Sequence, residues 1–290
     1  MYTNKVKKIA AVHDLSGMGR VSLTVVIPIL STMGFQVCPL PTAVLSNHTQ
    51  YPSFSFCDLT DEMPRIIAGW RKLGVQFDAI YTGYLGSPRQ ARIVGGFIDE
   101  FRHADSLTVV DPVLGDNSRL YSNFDMEMVA EMRQLIKKAD VITPNLTELF
   151  YLLDLPYREH NTDEELKEYL RRLSEAGPEI VIITSVPVQD DPHKTSVYAY
   201  NRQGDCYWKI TCPYLPAHYP GTGDTFTSVI TGSLLQGDSL PMALDRAAQF
   251  ILQGIRATFG YEYDNREGIL LEKVLHNLDM PIQMASYELI

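Results

Sequence analysis

KIAAVHDLSGMGRVSLTVVIPILSTMGFQVCPL, residues 8–40, reads as strand, loop, helix and strand in succession. Lys8 to His13 carries the apolar run Ile9 to Val12, which suits a strand buried on both faces. Val21 to Met33 is long and apolar enough for a packed helix, and Gly34 ends it before a second strand, Phe35 to Leu40. Two strands joined by a helical crossover must lie parallel, so this stretch already predicts a βαβ unit.

The same alternation continues outward. Asp61 to Leu73 is amphipathic and stops at Gly74, and Phe77 to Leu85 is strand-like. Pro88 opens a helix to about His103, followed by a strand at Leu107 to Val113. Met126 to Lys138 is helical, Val141 to Thr143 a short strand and Leu146 to Leu153 a helix. Thr162 caps a helix through Glu175, with Glu165 completing a capping box, and Gly177-Pro178 ends it before the strand Ile180 to Thr184. The pattern then changes. Val197 to Tyr200 and Tyr207 to Thr211 flank a turn at residues 201–204 that predicts a hairpin with Gly204 at positive φ. Helices return at Thr225 to Leu235 and Pro241 to Phe259. The expected fold is α/β: a doubly wound, mostly parallel sheet with helices on both faces and an antiparallel hairpin near residues 195–211. No repeat, low-complexity tract or Gly/Ser/Pro-rich linker divides the chain, which predicts one domain over residues 1–290.

Composition narrows the partners. With 25 Lys plus Arg against 35 Asp plus Glu, the 290 residues carry a formal charge of −10, which argues against nucleic acid or an anionic membrane as the main partner. Cys38, Cys57, Cys206 and Cys212 form no CxxC pair and no zinc spacing, so buried free thiols are expected. The Ile9 to Val12 run stops at His13 and Asp14, too short for a signal peptide, and no apolar stretch approaches a membrane span. The expectation is a cytoplasmic protein.

Ligands of open parallel sheets bind beyond the carboxyl ends of the strands. Polar residues gather at those ends: Asp14, Ser16, Gly17 and Gly19; Thr82, Gly83 and Tyr84; Asp111 and Asp116; Asn145 and Glu148; Thr184 and Ser185. Residues 13–20 have the place of a dinucleotide-binding turn, but Ser22 stands at the third glycine position. Pro220-Gly221-Thr222-Gly223-Asp224-Thr225-Phe226 precedes a helix, so its amides can face an anion. An aspartate there would repel a stored phosphate. It suits a base beside a phosphoryl group in transfer, or else Asp224 is a helix N-cap. Asn145-Leu146-Thr147-Glu148 offers an amide and a carboxylate three residues apart, fit either for magnesium or for a capping box. The GxxxxGK[ST] loop and the protein-kinase signatures are absent.

Gly221-Thr222-Gly223-Asp224 resembles the anion hole and base of the ribokinase-like kinases, and Asn145 to Glu148 is similar to their NxxE motif. Ser46-Asn47-His48-Thr49-Gln50-Tyr51, Thr82 to Ser87 and Asp111 to Asp116 resemble signatures of the pyridoxal kinases, in the same order along nearly the whole chain. The resemblance implies transfer of the ATP γ-phosphate to the 5′-hydroxymethyl of pyridoxal, pyridoxine or pyridoxamine. It implies Asp224 as base, with Gly221, Thr222 and Gly223 stabilising the phosphoryl group and Asp224 also touching the substrate. His48, Thr49 and Tyr84 would line the pyridine pocket. Asp111, Asn145, Glu148, Thr184 and Thr222 would serve ATP, Asp111 and Glu148 would organise Mg2+, and K+ would sit near Asp111, Thr143 and Thr184. A homodimer is implied as well. One segment departs from that family: Asp14-Leu15-Ser16-Gly17 is closer to the hydroxymethylpyrimidine kinases, whose substrate is the second expectation, with Asp14 as a substrate contact in either case. A vitamer-binding protein without catalysis is the third, against which the retained Asp224 speaks.

Overall fold

The computed structural model describes residues 6–215, 217–279 and 287–290. In chain order its strands and helices are β1 (Lys8–Ser16), α1 (Leu23–Thr32), β2 (Gln36–Leu45), β3 (Phe56–Asp58), α2 (Met63–Lys72), β4 (Ala79–Thr82), α3 (Pro88–Phe101), β5 (Leu107–Val110), β6 (Gly115–Asp116), β7 (Arg119–Leu120), α4 (Met126–Leu135), β8 (Val141–Ile142), α5 (Leu146–Leu153), α6 (Asp163–Glu175), β9 (Ile180–Pro187), β10 (Lys194–Asn201), β11 (Cys206–Pro213), α7 (Thr222–Gln236), α8 (Leu240–Thr258) and β12 (Tyr287–Leu289).

A ten-stranded sheet runs in the order β12-β11-β10-β9-β8-β5-β4-β1-β2-β3. From β2 through β9 every neighbouring pair is parallel, and the additions at both margins are antiparallel. This is the doubly wound α/β plan. The parallel strands alternate between two layers, because successive side chains of a strand point to opposite faces. Ala10 and Val12 pack with α2 to α6 residues such as Met63, Val94, Met132, Leu149 and Leu170, whereas Ile9 and Ala11 pack with Leu23, Ile29, Val229 and Leu244 of α1, α7 and α8. With both faces covered, the continuous apolar runs of the strands have no wet side to spare.

β1 lies between β2 and β4, so the chain leaves β1 to one side and later returns on the other. Such a reversal opens a crevice at the carboxyl ends of the two central strands. The pairing of β1 with β2 slips between His13 and Leu15, where three steps of β2, Pro41 to Val44, match two of β1. The bulge lets β1 continue through Ser16, past its expected end at His13, and carries Asp14 into the crevice.

Three local expectations change. The four cysteines are free, but Cys57 is exposed and Cys38, Cys206 and Cys212 are only partly buried, so the expected buried thiols are not found. The hairpin β10–β11 forms as expected, but Asp205 takes positive φ, at 46°, in place of Gly204. Helix α7 begins at Thr222 and not at Thr225, so Gly221 is its N-cap.

Candidate active site

Asp224 occupies the first turn of α7 and makes no capping bond to its own helix. Its Oδ2 accepts the backbone N–H of Ser22 at 2.8 Å, at the start of α1. Its side chain keeps 15 % exposure, an opening toward the crevice. Burial pushes its pKa up to about 7, with the Ser22 N–H pulling the other way and Asp14 adding repulsion. A carboxylate poised there can take a proton near neutral pH.

The loop before it has one backbone solution. Gly221 sits at φ 80°, and a Cβ on it would lie 2.0 Å from the carbonyl oxygen of Arg20. Only glycine lets residues 20 and 221 meet, and the free N–H groups of the first α7 turn then point outward at the helix N-terminus. Arg20 is clasped in turn: its N–H donates to the Glu267 carbonyl at 2.9 Å, and its guanidinium reaches Glu272 at 2.9 and 3.0 Å and Tyr263.

Asp14 is buried and has both oxygens engaged, Oδ2 by the Ser16 hydroxyl at 3.0 Å and Oδ1 by the Ser22 hydroxyl. Asp14, expected as a substrate contact, is thus also an internal anchor, and each of its oxygens keeps a further lone pair. It holds Ser22 at φ 50°, ψ −131°, a costly backbone state for serine, from which the N–H reaches Asp224.

Acid accumulates across the crevice. Asp111 is buried at the end of β5, and a Cβ on Gly223 would lie 3.9 Å from its Oδ2. Burial, then Glu148 and Asp224, hold the Asp111 carboxyl well above its ordinary range. Glu148 is pushed up to about 8, mainly by burial. The capping box on α5 is complete: Asn145 Oδ1 accepts the Glu148 N–H at 3.0 Å and Glu148 Oε2 accepts that of Asn145 at 2.8 Å. Glu148 Oε1 also accepts the Leu114 N–H at 3.1 Å, and Asn145 Nδ2 donates to the Gly115 carbonyl at 2.9 Å. Asn145 is thus committed to the α5 terminus and the β6–β7 hairpin. Thr184 pairs with Asn145 as an isolated bridge, and Thr222 bonds the Tyr219 carbonyl at 3.2 Å. The Thr143 hydroxyl lies 2.9 Å from that of Thr227, which donates to Asp111 at 3.5 Å.

Asp111 and Glu148 suit a hard divalent cation, which would relieve two buried carboxyls that repel each other. Among the described residues no cluster of three or more His, Cys, Asp or Glu side chains could hold a metal ion by itself. A cation held by these two carboxylates would need water or phosphate to complete its shell.

His48 is buried with both ring nitrogens engaged, Nε2 on the Arg266 carbonyl and Nδ1 on the Gln50 N–H at 3.4 Å, so it offers a ring wall and no free nitrogen. Thr49 is exposed in the adjoining turn. Tyr84 stacks on Phe124 at 5.6 Å between centroids and accepts Asn123 Nδ2 at 2.7 Å. Its phenol is pushed up chiefly by burial, with Asp14 adding to the push.

Two residues escaped the sequence reading. Ser22 was only a missing glycine there, and its positive φ has no sequence signal outside Gly, Asn or Asp. His13 closed the expected strand Lys8 to His13 and was given no role of its own. It is fully buried, with Nδ1 3.7 Å from Asp224 Oδ1.

The sequence model of the phosphomethylpyrimidine kinase family matches residues 67–267. Pyridoxal kinase of Deinococcus radiodurans is 31% identical over 250 residues, covering 82% of each chain. A crystal structure of a Bacteroides thetaiotaomicron protein, provisionally assigned as a phosphomethylpyrimidine kinase and determined with pyridoxal, is 86% identical with a TM-score of 0.97 and covers 99% of this chain and 100% of that one. Pyridoxal kinase of Lactobacillus plantarum is 33% identical with a TM-score of 0.87, covering 94% of this chain and 97% of that one. With this fold, these strand-end residues and these relatives, the chain belongs to the phosphomethylpyrimidine kinase family, within its pyridoxal kinases.

Proposed function

We propose that this chain, as one kinase domain over residues 1–290, phosphorylates the 5′-hydroxymethyl group of pyridoxal, and of pyridoxine and pyridoxamine, with ATP as donor. The observation that carries the reading is Asp224: a carboxylate with pKa about 7, partly open, set among the amides of a helix N-terminus that it does not cap. Pyridoxal in the 86% identical structure supports the acceptor.

Asp224 takes the proton of the vitamer hydroxyl as its oxygen bonds to the γ-phosphorus, the bond from the γ-phosphorus to the β,γ-bridging oxygen breaks, and ADP leaves with that electron pair. The N–H groups of Gly221, Thr222 and Gly223 face the oxygens of the phosphoryl group in flight, where charge spreads. Mg2+, held by Asp111 and Glu148, would neutralise phosphate charge. K+ near Asp111, Thr143 and Thr184 belongs to the same reading, and Asn145 serves ATP only by fixing the turn that carries Glu148. The Tyr84 ring and the His48 edge flank the flat vitamer, with Thr49 at the rim. Asp14 belongs to the same vitamer contacts and also steadies Asp224 through Ser22.

The reading includes a homodimer and a cytoplasmic location suited to an ATP-consuming step. No helix among the described residues is long and apolar enough to cross a membrane. The deciding assay offers purified protein ATP and magnesium with pyridoxal or hydroxymethylpyrimidine in parallel. A higher kcat/KM for pyridoxal is expected, and preference for the pyrimidine would overturn the acceptor.

A further inference from the structure

His13 is a histidine with nothing to do in an apolar strand. It is 0% exposed, and neither ring nitrogen has a hydrogen-bond partner. Two buried unsatisfied nitrogens are costly, so the site must gain from an imidazole where Leu or Phe would pack as well. Three contacts define its place. Tyr81 of β4 meets the ring edge-on at 4.5 Å between centroids. A Cβ at Gly83 would lie 2.4 Å from Nδ1, so glycine alone leaves that side of the ring room. The third neighbour is Asp224, with Oδ1 3.7 Å from Nδ1.

From this geometry we infer that His13 is a positioning residue for phosphoryl transfer, a neutral imidazole whose Nδ1–H closes on Asp224 Oδ1 and, with the Ser22 N–H on Oδ2, fixes the plane of the base. The inference rests on Asp224 being the base. The gap of 3.7 Å is too long for a hydrogen bond and closes with a small movement of either side chain. The ring stays neutral because burial lowers its pKa to about 3, and the groups around it supply no reason to change that. Asp224 faces Ser22 from α1, Asp14 from β1 and Asp111 from the end of β5, while the Tyr81 hydroxyl lies 3.4 Å from its backbone carbonyl. Each of the two carboxylate oxygens then has one N–H donor, and a lone pair on either remains for the substrate hydroxyl.

The direct test is 15N NMR of the imidazole in the protein with pyridoxal and a non-hydrolysable ATP analogue. The shifts of the His13 ring should report the Nδ1–H tautomer, and an Nε2–H tautomer overturns the proposal whatever the turnover. Kinetics supply the second arm. His13→Leu should lower kcat about 10- to 100-fold, the loss of one hydrogen bond to a charged acceptor, with KM for ATP within about twofold. His13→Asn places an amide N–H where Nδ1 was and should recover most of that loss. Equal kcat in the Leu and Asn variants, high or low, would make His13 mere packing. Should the Leu variant not fold, the tautomer and the Asn variant still decide. The base assignment fails separately, by near-normal turnover in Asp224→Asn.

Discussion

The backbone N–H of Ser22 donates to Asp224 Oδ2 at 2.8 Å, although 202 residues separate the two. The N-cap of α1 thus holds the carboxylate at the start of α7, and Asp14 stabilises the backbone state that makes the bond possible. Asp14, Ser22 and Asp224 are thus linked in one chain of hydrogen bonds.

Asp224→Asn keeps the size and shape of the side chain and removes the base. kcat should fall by about 10² to 10⁴-fold, with binding of magnesium-ATP equal or tighter because the negative charge opposing the nucleotide is gone. Single-turnover kinetics and nucleotide titration on this variant check both halves. Near-normal turnover would contradict a base.

Ser22→Ala retains the N–H that reaches Asp224 but deprives a buried carboxylate of one donor. A loss of about 1 to 3 kcal/mol in unfolding free energy is expected. Ser22→Gly loses the same donor while tolerating φ 50°, and should be less destabilised by about 1 kcal/mol. Urea unfolding of the pair measures the difference. Equal losses would mean that the backbone state at residue 22 stores no strain.

Glu148 and Asp224 have folded pKa values raised above their unfolded ones, to about 8 and about 7. Their contribution is full below the unfolded pKa and is lost as pH rises through the folded one. His13 has the opposite sign, depressed to about 3, so it lowers stability only below its ordinary 6.5. Between pH 6.5 and 8.5 the carboxyls act alone among these three, and the thermal midpoint of the nucleotide-free protein should fall across that window. Glu148→Gln keeps the capping box, removes one charge, and should flatten the fall while weakening the response of the rate to magnesium. A magnesium titration identical to that of the wild type would leave Glu148 as a helix cap only.

Tyr84 is held by Phe124 and Asn123 with its ring beside the crevice. Stacking of this kind contributes about 0.5 to 1.5 kcal/mol beyond the area buried. Tyr84→Ala should raise KM for pyridoxal about two- to tenfold and leave KM for ATP nearly unchanged. Steady-state kinetics in both substrates check this, and equal rises would assign Tyr84 to the fold.

The layered sheet was legible because the strands between β2 and β9 have no solvated face and so present apolar runs such as Ile9 to Val12 and Ile180 to Ile183. The margins were not. β3, the β6–β7 hairpin and β12 have two or three residues each, too few for any period to register, and β3 and β12 are exposed throughout. Candidate site residues stood out where charge lay beside glycine, as at Asp224, or beside a cap, as at Glu148. Asp14 was noticed, but a sequence shows only that a carboxylate lies at a strand end and not which hydroxyls meet it there. His13 was overlooked, since a histidine flanked by Val12 and followed by Asp14 carries no mark of the residue 211 positions away that it faces.

The clasp on Arg20 also joins segments that emerge far apart in the order of synthesis. Arg20 leaves the ribosome early, yet the Glu267 carbonyl and Glu272 carboxylate that hold it emerge near the end, after Gly221. A nascent chain can assemble its central strands, since domains fold from the amino end as they appear. Before residues 267–272 have emerged, the backbone of Arg20 that Gly221 must fit against lacks both of these partners.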